Sequence, residues 1–252
     1  MTALLEVVGV TRHFGGNVAV DDVTLTVGVG EAVGLIGANG AGKTTLFRII
    51  AGELPANSGR VHFAGGPLPG RADARARLGI ARTFQLVELF GGLTVLDHLL
   101  VALQAHQHRQ GPFRDLVWRG ATTGEELATC EAVLARCGLE QQANVPATAL
   151  SLGERRAVEL ARALVTGPRL LLADEPSSGL DAAEARSLAA TLRRVREDTG
   201  LAVLLVEHDL PTVEAVAERV VALDAGRVIA EGTFDAVVRH PQVIDSWLGR
   251  SA

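Results

Sequence analysis

The sequence predicts an α/β protein: a mainly parallel sheet covered by helices on both faces, an antiparallel β region ahead of it and a helical arm set into it. Three observations predict this. Uninterrupted apolar stretches at residues 32–36, 170–173 and 202–206 alternate with helical patterns, as strands buried on both faces do. The first sixty-odd residues are instead β-rich and broken by glycine turns. Each of the three apolar strands also runs, at its carboxyl end, into a cluster of glycines or acids, where open α/β sheets gather ligands.

In chain order, residues 5–10, 23–27 and 60–64 are candidate strands, with turns at Gly15-Gly16 and at residues 28–30. The strand at 32–36 feeds directly into Gly37-Ala38-Asn39-Gly40-Ala41-Gly42-Lys43-Thr44, and a helix from Thr45 to about Ala51 closes at Gly52. The pattern is helical from 95 to 149, with one helix over 125–137 stopped by Gly138. Residues 110–124, which carry glycine and proline, are a loop or a short helix flanked by loops. A helix over 154–165 leads through Gly167-Pro168 to the strand 170–173, which delivers Asp174-Glu175. The next helix carries Leu188, Leu192 and Val195 on one face and stops at Gly200; the strand 202–206 then delivers Glu207-His208-Asp209. Residues 220–223 and 227–230, joined through Asp224-Ala225-Gly226, form a closing hairpin, and two short helices finish the chain.

At 252 residues the chain suits one domain with a subdomain. No apolar run approaches the ~18 residues of a membrane span, and residues 1–10 carry Glu6 without a basic start, unlike a secretory signal. The expectation is a cytosolic protein. Cys130 and Cys137 have a spacing that suits neither a zinc knuckle nor a redox pair, so both are expected to be reduced helix residues. A net charge of −5 argues against non-specific nucleic-acid binding, which rests on phosphate neutralisation. Of 24 basic residues, Lys43 is the single lysine. A compact ammonium has been kept where every other basic position uses the wide guanidinium fork.

Residues 37–44 fit the phosphate-binding loop, with four free positions between glycine and Gly-Lys-Thr. Glycines let successive N–H groups turn toward phosphate oxygens, and the following helix adds its positive end. Lys43 would then bridge the β- and γ-phosphates and Thr44 would place its hydroxyl on Mg²⁺, with Asp174 as the second magnesium contact. Glu175 is suited to orient and deprotonate an attacking water. Ser151-Leu152-Gly153-Glu154 supports two readings at once: a capping box, and an anion site made by a serine hydroxyl and a glycine amide at a helix start.

The order of the phosphate loop, Gln85, Ser151-Leu152-Gly153-Glu154, residues 170–175, Ser178-Gly179-Leu180-Asp181 and His208 resembles the ATP-binding cassette (ABC) ATPases over essentially the whole chain. That resemblance implies a P-loop NTPase core with an N-terminal antiparallel β subdomain (core and β subdomain at about 1–85 and 161–252) and a helical subdomain at about 86–160. It implies ATP and Mg²⁺ as cofactors. Gly37, Ala38, Asn39, Gly40, Ala41, Gly42, Lys43, Thr44 and Thr45 would hold nucleotide in cis. Ser151, Gly153 and Glu154 would complete the site of a second chain in a head-to-tail dimer, and Asp181 would bridge the two chains. Gln85 would sense the γ-phosphate and Mg²⁺, so that the metal contacts become Thr44, Gln85 and Asp174. His208 would hold the water used by Glu175, and Phe14 would stack on adenine unless it is a core residue. The family usually has glycine where Leu152 stands and glutamine where Glu154 stands, which puts contacts through the Glu154 side chain in doubt.

Arg82-Thr83-Phe84-Gln85, the following Leu93-Thr94-Val95-Leu96-Asp97-His98-Leu99, and the ending Val243-Ile244-Asp245-Ser246-Trp247-Leu248-Gly249 are similar to the branched-chain amino-acid importer group. The partners implied are a second ATPase subunit, identical or related, two membrane permease subunits and an extracytoplasmic substrate-binding protein, with no nucleic acid. The protein would sit on the cytoplasmic face of the membrane. Residues 86–98, with exposed-looking Leu89, Phe90 and Leu93, would help receive a permease helix. An exporter motor, or an importer of another solute such as urea or amides, is the alternative.

Overall fold

The computed structural model describes residues 3–83, 89–108 and 122–248. Two long strands, β1 (Ala3–Phe14) and β2 (Asn17–Gly28), pair antiparallel. β2 alternates buried and exposed residues from Val23 to Val27, the signature of a sheet with one face on the core, and β1 buries Leu4, Leu5, Val7 and Val10. β3 (Ala32–Ile36) is buried throughout and leads into α1 (Lys43–Ala51), which Gly52 ends in a left-handed conformation. β4 (Ser58–Phe63) and the short β5 (Gly66–Pro67) complete a four-stranded sheet in the order β2-β1-β4-β5.

The second sheet holds β6 (Ile80–Arg82), β7 (Leu170–Asp174), β8 (Ala202–Val206), β9 (Arg219–Asp224) and β10 (Arg227–Gly232) together with β3. Its order is β10-β9-β3-β8-β7-β6, parallel except for the β9–β10 hairpin. Side chains alternate across it. Leu170 and Leu172 join the core shared with α1 and the antiparallel sheet. Leu171 and Ala173 face the opposite side, with Leu188, Leu192 and Val195 of the long helix over Ala182–Thr199. This two-sided burial explains why these strands are apolar at every position.

Between β6 and β7 lie α3 (Val95–His108), α4 (Gly124–Cys137) and α5 (Leu152–Leu164), after α2 (Ala72–Arg77). Val95, Leu99, Leu134, Val158 and their neighbours form a separate apolar cluster among α3, α4 and α5. Cys130 and Cys137 are free and buried in α4, and burial pushes their thiols up to about 11 and about 12; neither is poised to react. α6 (Ala182–Thr199), α7 (Leu210–Val216), α8 (Phe234–Val238) and α9 (Pro241–Leu248) complete the order. No helix among the described residues is long and apolar enough to cross a membrane.

The parallel strands, the closing hairpin and the two last helices fall where the sequence puts them. α2, β6 and α7 are additions. β6 is three residues long, too short to carry a period. α7 is announced only by its cap, Asp209 accepting from the Thr212 amide at 3.0 Å, with Pro211 in its first turn. α5 begins two residues earlier than the apolar pattern suggests, at Leu152. Most of segment 110–124, Gln85 and Gly249 lie outside the described residues.

Candidate functional site

The turn from β3 to α1 is built by glycine. Gly42 has φ 104° and Gly37 has φ 149°. A Cβ on Gly42 would come within 2.3 Å of the Ala19 carbonyl oxygen, and one on Gly37 within 2.2 Å of the Leu223 carbonyl oxygen. Side chains are therefore excluded at both positions by conformation and by contact. α1 starts with no side-chain cap and no acid in its first turn, which leaves positive amide ends for an incoming anion. Lys43, only 5% exposed, folds its ammonium back onto the loop, donating to Gly37 O at 2.6 Å and Ala38 O at 3.0 Å. Burial holds its pKa below the ordinary lysine value, against the opposing pull of Glu175 and Asp174.

Across the sheet edge, β7 and β8 end side by side, Asp174 opposite Val206. Buried Asp174 takes a charge-assisted bond from Arg82 Nη2 at 2.7 Å, and Arg82 also bonds Glu53 just past α1. Glu175 has φ 47°, a left-handed conformation for a residue with a side chain, which costs about 1–3 kcal/mol and must be held by its surroundings. Its Oε1 stands 2.6 Å from His208 Nε2. The pair comes from the ends of adjacent strands and lines, with Phe14, Asn17, Ala19, residues 39–45 and Ala225, an open cleft of about 530 Å³.

The donors present suit magnesium. Thr44 offers a hydroxyl and Asp174 a carboxylate, both hard oxygens. Among the described residues no cluster of three His, Cys, Asp or Glu could hold a metal by itself. An ion here would need phosphate oxygens for the rest of its shell, as Mg²⁺ at nucleotide sites does.

A second polar edge is formed at the start of α5. Ser151 Oγ accepts from the Glu154 amide at 3.2 Å, and Glu154 Oε2 accepts from the Ser151 amide at 2.8 Å. Glu154 Oε1 also accepts from Gln142 Nε2 at 3.1 Å. The Ser151 amide bond leads the causes that hold the Glu154 carboxyl below the usual range. Ser151 is exposed while Leu152, 39% exposed, leans on Gly179. Arg156, in the same helix, donates to Ser178 O at 3.1 Å. The α5 start is thereby tied to the loop that runs to Asp181, the cap of α6, whose Oδ1 accepts from the amides of Ala183 and Glu184.

Residues 20–178 match the family model described as ABC transporter. This chain belongs to the ABC transporter family. Its ATPase cassette further resembles the branched-chain amino-acid group: residues 227–252 match the model described as branched-chain amino acid ATP-binding cassette transporter. The chain is 38% identical over 256 residues to the high-affinity branched-chain amino acid transport ATP-binding protein LivG of Salmonella typhimurium, covering 98% of each. It is 35% identical over 252 residues to BraF of Pseudomonas aeruginosa, again covering 98% of each. Among solved structures, the ADP conformation of the MJ1267 cassette superposes with TM-score 0.87 at 28% identity, covering 99% of this chain and 100% of that one. A dimeric cassette, MJ0796, superposes with TM-score 0.75 at 27% identity, covering 91% and 98%.

In this ABC ATPase, one group of expected site residues meets in the cleft: Phe14, Asn39, Gly40, Ala41, Gly42, Lys43, Thr44, Thr45, Glu175 and His208 all line it. Phe14 is 46% exposed with Arg12 stacked over its ring, so it is no core residue. Ser151, Gly153 and Glu154 line a different cavity, between α4, α5 and α6. Phe90 is 65% exposed and Leu89 packs on the helical cluster. Sequence reasoning missed the Arg82–Glu53 bridge on Asp174 and the bonds of Glu207. The only trace of the latter in the sequence is an acid directly after an apolar strand.

Proposed function

We propose that this ATPase powers uptake of branched-chain amino acids through two membrane permease subunits, working at the cytoplasmic face as a dimer with a second cassette, identical or related. A substrate-binding protein outside the membrane would deliver the solute. Full-length similarity to LivG and BraF supports this cargo, as does the match of residues 227–252. Residues of about 86–160 would form the helical subdomain that transmits the stroke, with Phe90 on its permease side, and about 1–85 and 161–252 the nucleotide core with its β subdomain.

The observation that carries the chemistry is the 2.6 Å pairing of Glu175 with His208 in the same cleft as the phosphate loop. Glu175 takes the proton of the attacking water, and His208 orients that carboxylate. Residues 37–45 bind the phosphates with Lys43 as point charge, and Phe14 covers the adenine. Thr44, Asp174 and Gln85 would hold Mg²⁺, which when bound neutralises charge on the β- and γ-phosphates. Ser151 and Gly153 of the second chain close the site, Glu154 fixes that serine, and Asp181 bridges the two chains.

Glu175→Gln keeps size and shape but removes the proton acceptor. ATP should still bind, and hydrolysis in the assembled transporter should slow by about 10²–10⁴-fold. ATP-driven leucine uptake into proteoliposomes should stop with it. Wild-type hydrolysis by this variant would remove Glu175 from the role. Uptake of an amide or urea, with none of leucine, would replace the cargo.

A further inference from the structure

The buried carboxylate of Glu207, 3% exposed, has no part in the reading above, yet it sits beside it. β7 and β8 are parallel neighbours, so the residues just past their ends face each other, and two ties cross between them. Glu175, after β7, reaches His208, after β8. Glu207, after β8, reaches back to Ser177, after β7, with Oε1 accepting from the Ser177 amide at 2.8 Å and from its hydroxyl at 2.6 Å. The other oxygen accepts from the amides of His208 at 3.0 Å and Asp209 at 3.5 Å.

Those four described partners are all N–H or O–H donors. A buried carboxylate is costly unless its lone pairs are filled, and here each oxygen takes two donors. The chemistry demands an acid. A glutamine would offer one acceptor oxygen and set its amide nitrogen against amides that also donate. The bonds span the two segments that define the catalytic geometry: Glu175, in its unfavourable left-handed conformation, and the backbone of His208. They also fix Ser177, from which the chain continues through Ser178, itself held by Arg156 of α5, to Asp181.

We infer that Glu207 is a positioning residue: it holds the Glu175–His208 pair and the segment 177–181 as one unit, so that geometry competent for hydrolysis is set together with the face offered to a second chain. The inference rests on Glu175 being the base. Among the described residues, the hydrogen bonds of Glu207 go to Ser177, His208 and Asp209 and none goes to the phosphate loop, so nucleotide binding should be spared.

The test compares Glu207→Gln, Glu207→Asp and Glu175→Gln in the full-length chain, measuring kcat, KM for ATP, affinity for a fluorescent ATP analogue, and Tm. Glu207→Gln should lower kcat about ten- to hundredfold, the scale of an ångström-level misplacement of reacting groups, with KM and analogue affinity within about twofold of wild type. Glu207→Asp, which keeps both acceptors on a shorter stem, should recover part of kcat. Wild-type kcat in Glu207→Gln overturns the inference. A joint fall of kcat, nucleotide affinity and Tm, unrelieved by aspartate, overturns it too, because it marks general support of the fold. If Glu175→Gln itself turns over normally, the reading of the base has failed, whatever Glu207 does.

Discussion

At the start of α1 the cap residue is Gly42, which supplies no side-chain cap, and no acid stands in the first turn. At the start of α5, Ser151 and Glu154 accept from each other's amides in a complete capping box. The two ends belong to helices of 9 and 13 residues in one chain, yet one is left open and the other is finished. An unsatisfied helix start is a cost unless an external acceptor arrives, so the open start of α1 suits the phosphate proposed for it. A capped serine uses its lone pairs on the helix and keeps its hydroxyl proton, so α5 presents a donor whose position is already fixed. In the proposed dimer each chain therefore brings two unlike halves, a cradle that nucleotide completes and a rigid donor that completes the partner.

The largest effect should come from breaking the open half. The Lys43 ammonium lies between the Gly37 and Ala38 carbonyls, and release of those contacts would free it for the phosphates. Lys43→Ala removes the charge; Lys43→Arg keeps it on a fork too wide for a loop that leaves lysine 5% exposed. Both should lower ATP turnover by more than about 10²-fold, the scale of losing one preorganised charge-stabilising donor. Near-normal turnover by the arginine variant would dissolve the contrast, since α1 would then not be waiting for phosphate.

The open half was also the more legible in sequence. Its glycines, its lone lysine and the preceding apolar strand are contiguous, so local pattern and final geometry coincide. The capped half was legible as a box, but where the Glu154 charge goes was not, because Gln142 lies outside the motif. Glu175 and His208 could each be named, while their pairing depends on the register of β7 with β8, which no local pattern carries. Arg82 on Asp174 and Glu207 on Ser177 were hidden for the same reason, with partners 92 and 30 positions apart. β6 was hidden by its brevity, although it brings Arg82 and Thr83 beside β7.

A smaller effect should separate the two duties of Ser151. Ser151→Ala removes both cap and donor, and should cost about 1 kcal/mol of stability, a Tm loss of about 2–4 °C for a chain of this size. Ser151→Asp keeps a good cap but replaces the hydroxyl proton with negative charge. Calorimetry should find the aspartate variant near wild type, and ATPase assays on the assembled transporter should find it at least as impaired as alanine. If activity instead follows Tm across the two variants, Ser151 is a cap and nothing more.

The smallest effect is expected at Glu154, whose side chain closes the capping box. Its carboxylate is turned back onto the Ser151 amide and Gln142, so Glu154→Gln can keep the box, with an amide oxygen replacing the carboxylate oxygen. What is lost is a negative charge at a helix start, worth about 0.3–1 kcal/mol and at the lower end for a partly exposed group. Because the folded carboxyl sits below its usual range, this contribution is complete above the ordinary glutamate pKa and fades as pH falls through the lowered value. The Tm gap between wild type and Glu154→Gln should therefore be small at neutral pH and vanish in acid. Turnover should hold or rise slightly, since one negative charge leaves the edge proposed to meet the partner's nucleotide. A tenfold fall in kcat with Tm unchanged would mean that the Glu154 side chain itself reaches the partner's site, and the finished half would then be no more finished than the open one.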